Sequence, residues 1–318
     1  MNKRSITLTY NANVNDDGTG AQIQRILGIY AICKKYGFFY LHTPIKNLVT
    51  HPLDPFQTPK ELERYLKRVN EYFNLPSDGP MQFDKVIDQA RISIKYLRRL
   101  QLIMRLNKAE KILVEISNPA LIVDSNPDIL KLAVSDLLHL SGVESKTKVS
   151  IILHIRRNTQ EDFVVSGESQ PRSLPIDYYI EKLRTILASL PLKSEYEISV
   201  FTDIPKSAFQ FKPRTQDLEV WRRSGHKFVE GKIQVEALDL EKEFEDFSPN
   251  IEFIYGGDPL DAIIQMSTAD YFVMSRSSLS YLAGILNQNG KIFNPPKFSV
   301  APLSNWILKR SFRNLLKH

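Results

Sequence analysis

Val149-Ser150-Ile151-Ile152-Leu153-His154-Ile155, running straight into Arg156-Arg157, is the stretch that decides the fold. A strand with one wet face alternates apolar and polar residues. This one is apolar at five of seven positions, so both of its faces are covered, as in the centre of a parallel sheet. Downstream, Ile176, Tyr179, Ile180, Leu183, Ile186, Leu187 and Leu190 recur at helical spacing and form one core-facing stripe. Glu197–Thr202 reads as the next strand, then Ile251–Tyr255. A helix over Pro259–Thr268, a strand over Tyr271–Met274, a helix over Ser277–Leu286 and a short strand over Lys291–Phe293 complete the run. Strand and helix alternate throughout, which predicts α/β architecture with a parallel sheet.

The same rhythm appears upstream. Ile6–Tyr10 reads as a strand, followed by a glycine-containing loop, a helix from about Ala21 to Lys35 and a strand over Phe38–His42. A polar, proline-containing stretch runs from Pro44 to Pro59. Helices are expected over Pro59–Phe73 and Phe83–Asn107, a strand over Lys111–Ser117, and a helix over Asp128–Leu140 closed by Gly142. Glu144–Lys148 is short, polar and charged, and serves as the candidate linker. The expected organisation is therefore a Rossmann-like domain over 1–145, a second over 146–300, and a basic C-terminal helix over 301–318 that crosses back to brace the first domain.

Composition bounds the function classes. The chain has 318 residues, 42% of them hydrophobic, enough for two separate cores. No apolar run approaches the roughly 18–20 residues that span a bilayer, and the first ten residues alternate like a strand rather than a leader. A cytoplasmic location is the expectation. The single cysteine, Cys33, forms no disulfide and lies in a helix, where it reads as a small core residue. The net charge of +6 is uneven: after Asp270 there is no acidic residue, while Arg276, Lys291, Lys297, Lys309, Arg310, Arg313 and Lys317 follow. Such a half attracts anions. Arg91, Lys95, Arg98, Arg99 and Arg105 decorate the expected helix over Phe83–Asn107 and read as a solvated basic face. No aromatic-plus-basic nucleic-acid motif accompanies them, so no nucleic-acid partner is expected. In the tail, Trp306, Ile307, Leu308, Phe312, Leu315 and Leu316 lie between cations, a candidate contact with an anionic membrane or a helix docked on the protein.

Three constellations carry chemistry. His154-Ile155-Arg156-Arg157 closes a buried strand, and ligands of open α/β sheets sit beyond the carboxyl ends of strands. Guanidinium forks match phosphate oxygens in charge and shape; the alternative is structural pairing with Asp203 or Asp261. Phe201-Thr202-Asp203 closes the next strand. A carboxylate there can accept two hydrogen bonds from the N1 and N2 donors of guanine, or simply hold a turn. In Asp258–Gly284, a helix and strand lead into the turn Ser275-Arg276-Ser277-Ser278, which opens the last helix. Free N–H groups, the helix dipole and hydroxyls make an anion site there, unless the serines only cap.

Taken together these resemble the fucosyltransferase superfamily that includes the α-1,2- and α-1,6-fucosyltransferases. Members of that superfamily carry a His-x-Arg-Arg strand end, a Phe-Ser/Thr-Asp strand end, and an Asp-led block that runs into a Ser/Thr-rich turn. The matching positions are His154 to Arg157, Phe201 to Asp203, and Asp261 to Ser280, in the same order. Leu174–Tyr179 and Lys291–Lys297 are similar to further stretches of the family. Asp17-Gly18-Thr19-Gly20-Ala21-Gln22 resembles its glycine loop, with Ala21 where asparagine is common, and Thr159 stands where an acidic residue is frequent.

The resemblance implies a GT-B-like architecture, two Rossmann-like domains facing a central cleft, and an inverting transfer of fucose from GDP-fucose to a glycan hydroxyl. It implies donor contacts from Gly18, Gly20, Gln22, His154, Arg156, Arg157, Asp203, Asp261, Ser275, Ser277 and Ser278. Arg156 would stabilise the departing diphosphate, and Glu168 or Glu161, with Asp162 beside it, would take the acceptor proton. No metal and no cofactor are expected, because no Asp-x-Asp is placed to hold one on a diphosphate; Asp16-Asp17 reads as a turn. A different nucleotide-sugar donor, or a catalytically silent nucleotide- or glycan-binding homologue, is the alternative.

Overall fold

The computed structural model describes residues 5–13, 17–49, 54–105, 110–137, 148–156, 164–165, 168–169, 174–192, 194–212, 228–235, 237–247, 250–296, 298 and 300–307. The chain forms two compact units. One comprises Met1–Leu48, Leu62–Gly142 and Ser299–Ser304; the other comprises Val49–Glu61, Val143–Phe298 and Asn305–His318. Both are built on parallel sheets with Rossmann-like alternation of strand and helix.

In the first unit, β1 (Ser5–Tyr10), β2 (Phe39–Leu41), β3 (Lys85–Arg91) and β4 (Lys111–Asn118) pair in the order β2-β1-β4-β3, all parallel. Helix α1 (Thr19–Tyr36) connects β1 to β2 and buries most of its circumference, including Ile23, Ile26, Leu27 and Ile29. It ends at Gly37, whose φ of 73° closes the helix in the left-handed conformation that a Cβ would strain. Cys33 is buried there; its thiol donates to the Phe39 carbonyl, and burial pushes its pKa well up, so it is an inert core group. Helices α2 (Pro59–Tyr72), α3 (Ile94–Met104), α4 (Ala120–Val123) and α5 (Lys131–Leu137) follow. The Ser304 N–H and hydroxyl both donate to Asp128, which ties residues 299–304 into this unit.

Two expectations here are corrected. Residues 83–107 do not make one helix: Lys85–Arg91 is strand β3, and α3 starts only at Ile94, capped by the Ser93 side chain. β3 is an edge strand with both faces largely exposed, so it lacks the alternation that marks a half-buried strand. The expected helix over Asp128–Leu140 is split, a 3-10 turn over Pro127–Leu130 preceding α5, with Pro127 fixing the first turn.

In the second unit, β5 (Val149–Ile155), β8 (Tyr196–Thr202), β12 (Ile251–Tyr255), β13 (Tyr271–Val273) and β14 (Lys291–Phe293) pair in parallel in the order β12-β8-β5-β13-β14. The strand quoted at the outset occupies the centre, buried from Ser150 to Ile155. Helices α6 (Ile176–Ser189), α7 (Leu240–Glu243), α8 (Pro259–Ser267) and α9 (Ser278–Leu286) make the connections. Tyr179, Leu183 and Ile186 of α6 pack with Ile151, Leu153, Ile198 and Val200 in one core. Two ribbons are additions the sequence reading passed over: β6 (Val164–Val165) with β7 (Glu168–Ser169), and β9 (Phe209–Phe211), β11 (Lys232–Val235) and β10 (Phe228–Val229), all antiparallel. The β10–β11 turn is Glu230-Gly231, with φ of 51° and 77°.

Residues 304–307 do not begin the expected tail helix. They form a turn, and Ile307 bridges in parallel to Phe293 beyond β14. Trp306 is buried, its ring 5.2 Å from Tyr281 and packed against Gly284, where a Cβ would lie 2.9 Å from the indole. This tryptophan is spent on the core rather than offered to a membrane. Residues 308–318 lie outside the described residues, as does most of the expected linker. Among the described residues no helix is long and apolar enough to cross a membrane.

Candidate functional site

Counted along the second unit, the strand order β12-β8-β5-β13-β14 is third, second, first, fourth, fifth. Connections therefore leave β5 and β13 in opposite directions, the arrangement that in open α/β sheets makes room for a ligand beyond the carboxyl ends. The residues placed there are His154 and Arg156 after β5 and Ser275 to Ser278 after β13, with Asp203 one strand further on after β8.

Below the crevice lies a buried polar cluster. His154 Nδ1 is 2.5 Å from Ser280 Oγ and 3.3 Å from Ser275 Oγ. The two serine hydroxyls are 3.0 Å apart, and the Ser275 N–H donates to Ser280 Oγ at 3.1 Å. His154 and both serines are buried. Burial holds the imidazole pKa down to about 4, partly countered by Asp203 and reinforced by Arg156, so the ring is neutral at pH 7. This cluster fastens the end of β5 to the turn that follows β13.

Above it the turn becomes a helix start. Ser277 is the N-cap of α9: its hydroxyl accepts from the Leu279 N–H, and its own N–H donates to the Ser275 carbonyl. The first turn of α9 carries no acidic residue. Arg156 reaches into this feature, Nη1 donating to Ser277 Oγ at 3.3 Å. Its Nε lies 3.5 Å from Asp203 Oδ2, an ionic contact without hydrogen-bond geometry. The ε-nitrogen is buried and has no hydrogen-bond partner among the described residues. Arg276 points the other way, its Nε donating to the Pro296 carbonyl at 2.9 Å.

Two phenols escaped the sequence reading as site residues. The hydroxyls of Tyr178 and Tyr179, at the start of α6, are both buried; that of Tyr178 has no hydrogen-bond partner among the described residues, and that of Tyr179 lies beside the Arg156 backbone without good hydrogen-bond geometry. Burial raises both pKa values and Asp203 raises that of Tyr179 further, while Arg276 opposes the rise in both. In the sequence both tyrosines fall in the family-like stretch Leu174–Tyr179, and Tyr179 also in the apolar stripe, but nothing local there marks a phenol whose polar neighbours come from other strands.

The remaining expected residues are placed as follows. Asp261 stands on the first turn of α8, beyond edge strand β12, its N–H donating to the cap Asp258. Ser278 is the first residue of α9. Glu168 lies on β7, where its backbone pairs with Val165. Arg157, Glu161, Asp162 and Asp16 lie outside the described residues. Gly18 is the N-cap of α1 and Gly20 is buried in its first turn. Gln22 is fully buried, accepting from the Tyr10 hydroxyl and donating to the carbonyls of Asp17 and Asn47. All three belong to the first unit. Among the described residues no group of three or more His, Cys, Asp or Glu side chains is close enough to hold a metal ion.

No family model matches the chain and no curated protein matches it. Among solved structures it is similar to fucosyltransferase NodZ from Bradyrhizobium, at 10% identity, TM-score 0.38, covering 94% of this chain and 100% of that one. It is similar to POFUT1 in complex with GDP-fucose at 9% identity, TM-score 0.43, covering 91% and 96%. It is similar to E. coli ADP-heptose LPS heptosyltransferase II at 10% identity, TM-score 0.39, covering 96% and 89%. At these values the likenesses carry no argument for an activity.

Proposed function

We propose that the chain is a glycosyltransferase whose second unit binds the diphosphate of a nucleotide-sugar donor, with GDP-fucose as that donor and a glycan hydroxyl as acceptor. The observation that carries this is Arg156. A buried guanidinium nitrogen without a hydrogen-bond partner is costly, and such groups call for an explanation. Arg156 stands at a switch point, beside a serine-capped helix N-terminus, held by one long hydrogen bond and one off-geometry ion pair. A diphosphate would satisfy the fork and the helix end together. The motif order His154 to Arg157, Asp203, and Asp261 to Ser280 supports the fucosyltransferase reading of that site.

In the proposed reaction an acceptor hydroxyl attacks the anomeric carbon opposite the leaving GDP, and the configuration inverts. Arg156, with Arg157, Ser277 and Ser278, would stabilise the charge that grows on the leaving diphosphate, where a preorganised cation contributes most. Asp203 would read the guanine edge. His154 would hold the turn rather than touch the donor, since it is buried beneath it. Glu168 or Glu161 remains the proposed base.

The test is a thermal-shift panel of GDP, ADP and UDP with their sugars, because a ligand of the native state raises the melting temperature. GDP and GDP-fucose are expected to give the largest shift, with GDP released when a glycan acceptor is added. A larger shift with ADP- or UDP-sugars would overturn the donor, and no shift with any nucleotide would overturn the site.

A further inference from the structure

Helix α3 carries a surface that nothing in the proposed site uses. Leu97 and Leu100 are its buried stripe, at 0% and 2% exposure, and Gln101 anchors its far side by donating to the Tyr36 carbonyl. On the outer side Leu102 is 60% exposed and Ile94 38%. From Arg91 to Arg105 the chain contains Arg91, Lys95, Arg98, Arg99 and Arg105 and no carboxylate. Among the described residues none of these five is held in an ion pair.

The helical repeat of about 100° per residue arranges these groups. Ile94, Arg105, Arg98, Leu102, Lys95 and Arg99 fall in that order across an arc of roughly 140°. Leu102 therefore stands near its middle with cations on both sides. A soluble helix usually puts its lone exposed leucine among mixed charges. An apolar centre with an unbroken cationic rim is the pattern that lies on an anionic bilayer, the apolar group entering the acyl boundary and the cations meeting headgroup phosphates. The arc carries no aromatic ring on which a base would stack, which disfavours single-stranded nucleic acid.

We propose that the outer face of α3 is a docking surface for an anionic lipid membrane. The surface is separate from the residues assigned to the nucleotide, so it stands whether or not the donor reading holds.

The test is sedimentation of the full chain with vesicles of neutral phosphatidylcholine, and with vesicles carrying added phosphatidylglycerol. Binding is expected only to the anionic vesicles and should fall as salt screens the charges. Arg98→Gln/Arg99→Gln should weaken it roughly 30-fold, at about the contribution expected for two surface cations. Leu102→Ser should weaken it about tenfold, since the apolar centre is lost while the charge stays. Unchanged circular dichroism melting would show that the variants fold. Equal binding to both vesicle types, or anionic binding unaffected by Arg98→Gln/Arg99→Gln, would overturn the proposal. So would vesicle-independent capture of single-stranded RNA that the same double variant abolishes.

Discussion

The two units share parallel α/β construction but use their switch points in opposite ways. In the first unit the order β2-β1-β4-β3 puts the switch between β1 and β4. Most of the polar groups there are spent on hydrogen bonds within the unit. Gln22 spends its amide on Tyr10, Asp17 and Asn47; the Asn11 amide reaches Asp88 at 3.2 Å; Asn118 accepts from the Ala120 N–H. In the second unit the switch between β5 and β13 holds Arg156 and a serine-capped helix start, with the unpartnered Tyr178 phenol on the helix that follows β5. The first end spends its amides internally and leaves only the neutral groups His42 Nε2 and Thr7 Oγ1 without a partner among the described residues, whereas the second leaves a guanidinium nitrogen so. The difference teaches where to look for a ligand. Topology offers the same opening twice, and unspent polar groups distinguish a binding site from a structural joint.

The largest expected effect concerns the joint beneath the second site. The unfolded His154 imidazole takes up a proton below about pH 6.5, while in the folded chain it stays neutral down to about 4. Its contribution to stability is therefore complete above 6.5 and is lost as pH falls through that window. The full loss is about 3 kcal/mol. Urea unfolding of the parent and of His154→Gln between pH 7 and 4 measures this as the difference between the two pH profiles. Parallel profiles would mean that the ring is not buried as a neutral base. His42 of the first unit is also lowered by burial, but it lies nearer the surface and should contribute less.

The next effect tests the contrast itself. Arg156→Ala should weaken GDP roughly 30- to 100-fold by calorimetry, the usual worth of a charge-assisted bond to phosphate, while stability barely changes. Gln22→Ala should do the reverse. It leaves the Tyr10 hydroxyl and two carbonyls short of partners in a buried place, at about 2 kcal/mol, with GDP affinity unchanged. If Gln22→Ala loses GDP without losing stability, the first switch point binds the donor as well, and the comparison between the units fails.

How much of this was legible in the sequence follows from burial. β5 was read with its observed limits because a covered parallel strand is a continuous apolar run, and β12 and β14, though edge strands, are short apolar-rich runs bounded by turns. β3 was misread because Lys85–Arg91 is an edge strand whose pattern follows solvent rather than a core. The ribbon β9-β11-β10 was missed because its strands have two to four residues and pair across loops. In the site, Arg156, Asp203 and Ser277 were legible as strand-end and helix-start residues. Ser280 and the two phenols were not: Ser280 matters through His154, on a strand more than a hundred residues earlier, and the phenols through charged groups at the ends of other strands.

The smallest effect separates two jobs held by one oxygen. Ser277 Oγ accepts from the Leu279 N–H as a cap and from Arg156 as a partner. Alanine at this position removes both interactions and should cost about 1 kcal/mol of stability, the usual loss of a serine cap. Glycine also removes the oxygen but tolerates the cap backbone, and costs only a few tenths of a kcal/mol. Ser277→Ala and Ser277→Gly should therefore differ in melting temperature. Their GDP affinities should fall equally, by about threefold to tenfold, because each deprives the diphosphate of one hydroxyl. If GDP affinity instead tracks the melting temperature across parent, glycine and alanine, Ser277 serves the helix alone. The second switch point would then bind its anion through Arg156 and the free N–H groups without a hydroxyl, and would differ from the first by one cation rather than by a built cradle.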